Sequence, residues 1–130
     1  MAETERSLSE ADDRAGLLPE HSILSLEEYL DMQRAIGNET RFRILNWLTG
    51  EGPQSATDLR DALDISSNTL HYHLDALVDV GLVENRKRKE RDRDGLYSYY
   101  RATSLGEGIL DHGVRELMRE EWDLLDTYSE

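Results

Sequence analysis

Residues 66–81 read "SSNTLHYHLDALVDVG", which puts an amide, several hydroxyls and two imidazoles at the front of an apolar-periodic run. Leu70, Leu74, Leu77 and Val78 follow the i, i+4, i+7, i+8 spacing of a helix stripe. With that stripe turned inward, a step of about 100° per residue throws Asn68, Tyr72 and Asp79 to the far side. Thr69 and Asp75 lie beside them, and His71 and His73 fall on the two flanks. Such groups hydrogen-bond the edges of bases: an Asn amide suits adenine, and a Thr methyl can touch the thymine methyl. Asp75 and Asp79 lie toward the C-terminal end and would be repelled by phosphate, so only the first half of the helix suits a polyanion. Ser66 or Ser67 caps the run and leaves backbone N–H groups facing outward to hold a phosphate. The competing reading is a plain polar surface with half-buried histidines, and it fits any one of these residues taken singly.

The overall charge points the other way. Asp and Glu number 28 against 15 basic residues, a net −13, and only Lys87 and Lys89 are lysine. Acidity with so few lysines is similar to that of proteins from salt-loving organisms, where concentrated salt screens repulsion to within about 3 Å; an ordinary acidic protein is the alternative. The bases are not spread evenly, however. The stretch 86–101, "RKRKERDRDGLYSYYR", holds seven of the fifteen basic residues and three acidic ones, a local +4 that leaves −17 to the rest. A charged surface is felt patch by patch. Arg86, Lys87, Arg88, Lys89, Arg91 and Arg93 are therefore the candidates for phosphate contact, blunted by Glu90, Asp92 and Asp94. Tyr97, Tyr99 and Tyr100 are expected to pack the strand, and Arg101 is left open between phosphate and an acidic neighbour.

The elements that must hold these residues can be read along the chain. Residues 1–22 are polar and aperiodic and are read as a flexible acidic tail, leaving 23–130 as one domain. Ser25 with Glu28 matches a capping box and opens a helix to about Ile36, with Leu26, Tyr29, Leu30 and Ile36 available for burial. Gly37 and Asn38 break it. Asn38 caps a second helix in which Phe42, Leu45 and Leu48 supply buried positions, and Gly50, Gly52 and Pro53 end it. Ser55 with Asp58 opens a short helix to about Leu63, "DIS" is a turn, and the helix of the opening stretch follows. Gly81 sits where a left-handed C-cap belongs. "LVENRKRK" and "LYSYYRA" read as strands around the Asp94-Gly95 hairpin signal. Ser104 starts a last long helix, roughly Leu105 to Tyr128, with Leu110, Val114, Leu117, Met118, Trp122, Leu125 and Tyr128 as a wide stripe. Gly106, Gly108 and Gly113 weaken its first half.

Two helices joined by a short turn and followed by a basic hairpin make a winged helix-turn-helix. "AIGNETRFRILNWL", "SATDLRDALDISSNTLHYHLDALVDVGLV" and "GLYSYYRA" together resemble the ArsR-type winged-helix regulators, in a haloarchaeal-looking version. The resemblance covers about residues 26–128 and is most specific from Asp58 to Val83. It implies a mainly α fold with a small β-hairpin wing, a long C-terminal dimerisation helix and a homodimeric transcriptional regulator on double-stranded DNA. The helix from Ser67 would then read a major groove and the hairpin lie along the backbone. Tyr29 and Leu30 on the first helix, with Leu110, Val114, Leu117, Met118, Trp122 and Leu125 on the last, are the expected dimer contacts. The alternative for the same fold is a protein-interaction module within a transcription complex.

Several chemistries are not expected. No cysteine is present, so thiolate metal sites, disulfides and thiol switches are excluded. Asp111 and His112 are adjacent and point apart, and His71 and His73 are two apart on a helix and poorly placed to share a metal. No paired catalytic groups or phosphate-binding Gly loop stands out, so neither an enzyme nor a cofactor is expected. No stretch reaches the roughly 18 apolar residues of a membrane span, and no signal-peptide run opens the chain, so the expected location is the cytoplasm. The effector, if any, is not named by any residue.

Overall fold

Caps decide where the helices begin. The computed structural model describes residues 23–89 and 96–128, and no side chain of Leu96 or of residues 122–128. The tail 1–22, the Asp94-Gly95 turn, Arg91 and Arg93 lie outside the described residues, as do the side chains of Trp122 and Leu125. Ser25 Oγ accepts from the Glu28 amide while Glu28 Oε1 accepts from the Ser25 amide, both at 3.1 Å, opening α1, Leu26–Ile36. Asn38 Oδ1 accepts from the Arg41 amide at 3.0 Å and opens α2, Glu39–Glu51. The box of Ser55 and Asp58 opens α3, Ala56–Leu63. Asp64 then turns the chain in the left-handed region (φ 52°), which Asp tolerates better than most side chains. Ser66, rather than Ser67, caps α4, Ser67–Asp79. At its end Gly81 takes φ 81°, a conformation without steric cost only for glycine.

The hairpin pairs β1, Val83–Lys89, with β2, Leu96–Ala102, antiparallel and with Asn85 opposite Tyr100. A third segment joins it. Gln54, just before α3, exchanges both backbone hydrogen bonds with Tyr100, at 2.9 and 2.7 Å. The wing is thereby pinned to the entrance of the helix-turn-helix, a bridge with no signature in the sequence.

The C-terminal end departs from expectation. The single long helix is two: α5, Ser104–Asp111, capped by Thr103, and α6, Val114–Tyr128, separated at His112–Gly113. A Cβ on Gly113 would lie 2.3 Å from the Ile109 carbonyl oxygen, so the close approach at the break requires glycine. A Cβ on Gly106 would lie 2.2 Å from the Leu82 carbonyl oxygen. This glycine therefore lets α5 settle on the turn after α4. There the Thr103 hydroxyl donates to the Gly81 carbonyl at 2.6 Å and the Thr103 amide donates to that of Leu82 at 3.1 Å.

The core gathers Ile44, Leu45, Leu59, Leu70, Leu74, Leu77, Leu82 and Leu110 from α2, α3, α4, α5 and the turn before β1. Burying each such side chain contributes roughly 1.5–3 kcal/mol relative to exposure. Leu110 is a correction: it was expected at a dimer contact but is fully buried within its own subunit. The break at His112–Gly113 lets α5 turn its stripe inward independently of α6. Leu30, by contrast, is 40% exposed, while Met32, Ala35 and Ile36 carry the burial of α1. Among the described residues, no helix is long and apolar enough to cross a membrane.

Candidate nucleic-acid interface

The α4 helix presents the polar front that its stripe predicts. Leu70, Leu74 and Leu77 are buried, while Ser66, Ser67, Asn68, Thr69, His71 and Tyr72 are exposed, Tyr72 at 69%. Ser66 Oγ accepts from the Thr69 amide at 3.3 Å and donates to Thr69 Oγ1 at 2.9 Å, which leaves the Thr69 hydroxyl proton uncommitted by this pair. Asn68, His71 and the Tyr72 hydroxyl make no hydrogen bond to another described residue. Their donors and acceptors stand ready for an outside partner.

His73 does not belong with them. It is half-buried, edge-on to Tyr72 at 5.1 Å between centroids, and its Nδ1 accepts from Arg41 Nη1 at 3.2 Å. A guanidinium can only donate, so this bond requires a neutral ring protonated at Nε2. Burial, and then the Arg41 charge, hold the imidazole pKa below its ordinary value. Arg41 Nε also donates to the Ala35 carbonyl at 2.6 Å, tying the end of α1, the start of α2 and the flank of α4 together. The ring nitrogen that sequence reasoning offered to a base is thus engaged inside the subunit.

The wing divides its cations between two faces. Opposed residues of an antiparallel pair share a face. Glu84, Arg86, Arg88, Tyr97, Tyr99 and Arg101 therefore lie on one side, and Val83, Asn85, Lys87, Lys89, Ser98 and Tyr100 on the other. On the first face Glu84 Oε1 takes both Arg101 Nε at 2.9 Å and Arg86 Nε at 3.2 Å. Arg88 sits 5.3 Å from each of the Tyr97 and Tyr99 ring centroids, and those rings stack at 6.1 Å. On the second face Val83 and Tyr100 are buried at the root, Ser98 donates to Asn85 Oδ1 at 2.9 Å, and Lys87 and Lys89 continue outward, exposed. Neither lysine has an ion pair among the described residues. Burial, then the charge of Asp75, raises the Tyr100 phenol pKa. The C-terminal half of α4 accordingly lies against the root of the wing.

A second surface is apolar. Tyr29 and Leu30 of α1 face Leu105 and Ile109 of α5 across a groove of about 430 Å³. On α6, Val114, Leu117 and Met118 are exposed, Leu117 at 69%. Among the described residues no group of three or more His, Asp or Glu side chains is placed to hold a metal ion.

Comparison with known proteins follows this geometry. The helix-turn-helix domain family matches residues 36–86, from the end of α1 into β1. The arsenical resistance operon repressor of Bacillus subtilis is 26% identical over 96 residues, 74% of this chain and 79% of the relative. A homodimeric winged helix-turn-helix DNA-binding domain from Mycobacterium bovis, described as a possible ArsR-family regulator, is 26% identical. It superposes with a TM-score of 0.62 over 86% of this chain and 90% of its own. An ArsR-like transcriptional regulator from Rhodococcus sp. is 28% identical, with a TM-score of 0.53 over 78% of this chain and 90% of its own. With the domain match spanning the capped turn and α4, and the wing completing the fold, the chain is similar to the ArsR-type winged helix-turn-helix regulators.

Proposed function

We propose that the protein is a sequence-specific regulator of transcription, most simply a repressor, that binds double-stranded DNA as a homodimer in the cytoplasm. The observation that carries the reading is the front of α4, where Asn68, Thr69, His71 and Tyr72 are exposed with hydrogen-bonding capacity to spare. A recognition helix meets base edges with its N-terminal residues, and these are the N-terminal residues of the second helix in the motif. Ser66 and Ser67 bring the N-terminal amides of α4 toward a phosphate, and Lys87, Lys89, Arg86 and Arg88 extend that contact along the backbone.

Dimerisation accounts for the apolar surface. Leu30, Val114, Leu117 and Met118 are too exposed to belong to a monomer core, and the Mycobacterium bovis relative is a homodimer. Two-fold symmetry calls for a pseudo-palindromic site with half-site centres one helical turn, or a multiple of it, apart. The role is binding rather than catalysis.

Acidity sets the working conditions. Contact with about six phosphates loses roughly five decades of affinity per tenfold rise in salt, at about −0.9 per contact. If the protein works in molar salt, base-edge contacts carry more of the affinity than usual, or cations are taken up between its acids and the DNA. Selection of bound duplexes from a randomised pool at several potassium chloride concentrations tests the whole reading. A two-fold-symmetric motif is expected; failure to retain any duplex at any salt concentration would sink it.

A further inference from the structure

Arg115, in the first turn of α6, fastens three helices. Its Nη1 donates to Asp111 Oδ1 on α5 at 2.8 Å, across the His112–Gly113 break. Its Nη2 donates to Asn46 Oδ1 and, at 3.0 Å, to Thr49 Oγ1, both on α2. Thr49 commits its own hydroxyl proton to the Asn46 carbonyl at 2.9 Å, which leaves its oxygen lone pairs free to accept. A guanidinium offers such donors in a fixed plane, where an ammonium is a point charge on a flexible stem.

Arg119 also reaches back across the break, its Nη2 donating to the Asp111 carbonyl at 3.3 Å, but among the described side chains of α6 Arg115 is the one shown bonded to α2. From residue 114 to 121 every side chain is exposed except that of Arg115. Over these described residues the direction of α6 is therefore not set by apolar packing within the subunit. Among the described groups it is set by the glycine break, by the Arg119 bond to the end of α5 and, against α2, by the Arg115 guanidinium. A swing of about 10° at the break moves the far end of a 15-residue helix by about 4 Å. That is about the 3.4 Å rise of one base pair.

We propose that Arg115 is a positioning residue that fixes the direction of α6 against α2, and through it the half-site spacing that the dimer accepts. The inference rests on the functional reading above, with α6 carrying part of the dimer contact. Spacing is then a property of the α6-to-α2 fastening, separate from the base preference that α4 carries.

The test uses the full chain, the site selected from the random pool, versions of it with one or two base pairs inserted or removed between the half-sites, and an isolated half-site. Arg115→Ala, Arg115→Lys and the double variant Asn46→Ala/Thr49→Val are compared with the wild type, and dimerisation is followed by sedimentation. The wild type should prefer its own spacing over the shifted ones. Arg115→Ala and the α2 double variant should lower that preference by about tenfold, the scale of one mismatched base pair, with half-site affinity unchanged. Arg115→Lys should restore it only in part. If Arg115→Ala fails to fold or dimerise, the double variant, which leaves α6 and its Asp111 bond intact, decides. Dimeric variants with the wild-type spacing profile overturn the inference and leave the functional reading standing, as does a wild type indifferent to spacing. A wild type that binds no duplex removes both.

Discussion

The front of α4 and the wing were built from equally polar sequence, yet they hold their side chains differently. On α4, Asn68, His71 and Tyr72 have no hydrogen-bond partner among the described residues. On the wing, Arg86 and Arg101 share Glu84, and Arg88 lies over two tyrosines. The difference follows from the two backbones. A helix satisfies its own amides and carbonyls and turns its outward side chains away from one another. A two-stranded ribbon sets opposed side chains about 4.5–5.5 Å apart, so opposite charges on it find each other. Glu84 stands just outside the basic stretch 86–101 and takes two of its arginines. Among the described residues the wing is less cationic toward an outside partner than its composition suggests, and Lys87 and Lys89 carry most of what remains there.

The largest effect expected from this contrast is on α4. Asn68→Ala should weaken binding to the selected site by ~1–3 kcal/mol, about 5- to 150-fold, if the amide pairs with adenine. It should do so selectively, relaxing the preference at one base position while the salt dependence stays the same. Anisotropy titrations on single-substituted duplexes check this. A uniform loss on all sequences would mean that Asn68 holds the backbone instead.

On the wing the effect is smaller and different in kind. Lys87→Ala with Lys89→Ala should lower affinity equally for every sequence and make the salt slope shallower by about 0.9 per lost contact. Arg86→Ala should change the slope less than either lysine, because Glu84 already holds that guanidinium. Equal slopes for all three variants would refute the division of the wing into two faces. Glu84→Gln runs the comparison in reverse. It releases Arg86 and Arg101 from an exposed pair of the kind worth ~0.2–1 kcal/mol, so affinity at low salt should rise, by no more than about fivefold. An unchanged salt slope in this variant would show that the arginines face away from DNA.

Short-range features were legible in the sequence, and long-range ones were not. The caps at Ser25, Asn38, Ser55 and Ser66 are written within four residues of each helix start, and the structure keeps each of them. The α4 stripe was legible for the same reason. The break in the last helix was half visible: Gly106 and Gly113 were read as weak helix formers, whereas each is there because a backbone passes too close for a Cβ. Periodicity carried across that break assigned Leu110 to the same stripe as Val114 and Leu117. The helix phase is reset at His112–Gly113, so the first is buried and the others are not. The Gln54–Tyr100 bridge, the hold of Glu84 on two arginines and the bond from Arg41 to His73 depend on tertiary approach, which no local pattern records.

His73 gives the smallest expected effect and separates the two roles that α4 combines. Its Nδ1 accepts from Arg41 at 3.2 Å, so the folded state needs the neutral ring, and burial followed by the Arg41 charge hold its pKa below the ordinary value. In the unfolded chain the ring titrates near 6.5. As pH falls through about 6.5, the unfolded state takes up a proton that the folded state resists, so the folded state loses stability. The loss stops growing once the pH is below the lowered folded pKa. His73→Asn keeps an acceptor beside Arg41 and removes the titration. The difference in urea unfolding free energy between variant and wild type should therefore slope between pH 7 and pH 5, with the wild type losing more. A flat difference would mean that the Arg41 bond does not persist in solution. Affinity for the selected duplex at pH 7.5 should meanwhile be nearly the same in the two proteins, whereas His71→Ala should weaken it, because of these two imidazoles only that of His71 is exposed and without a hydrogen bond among the described residues.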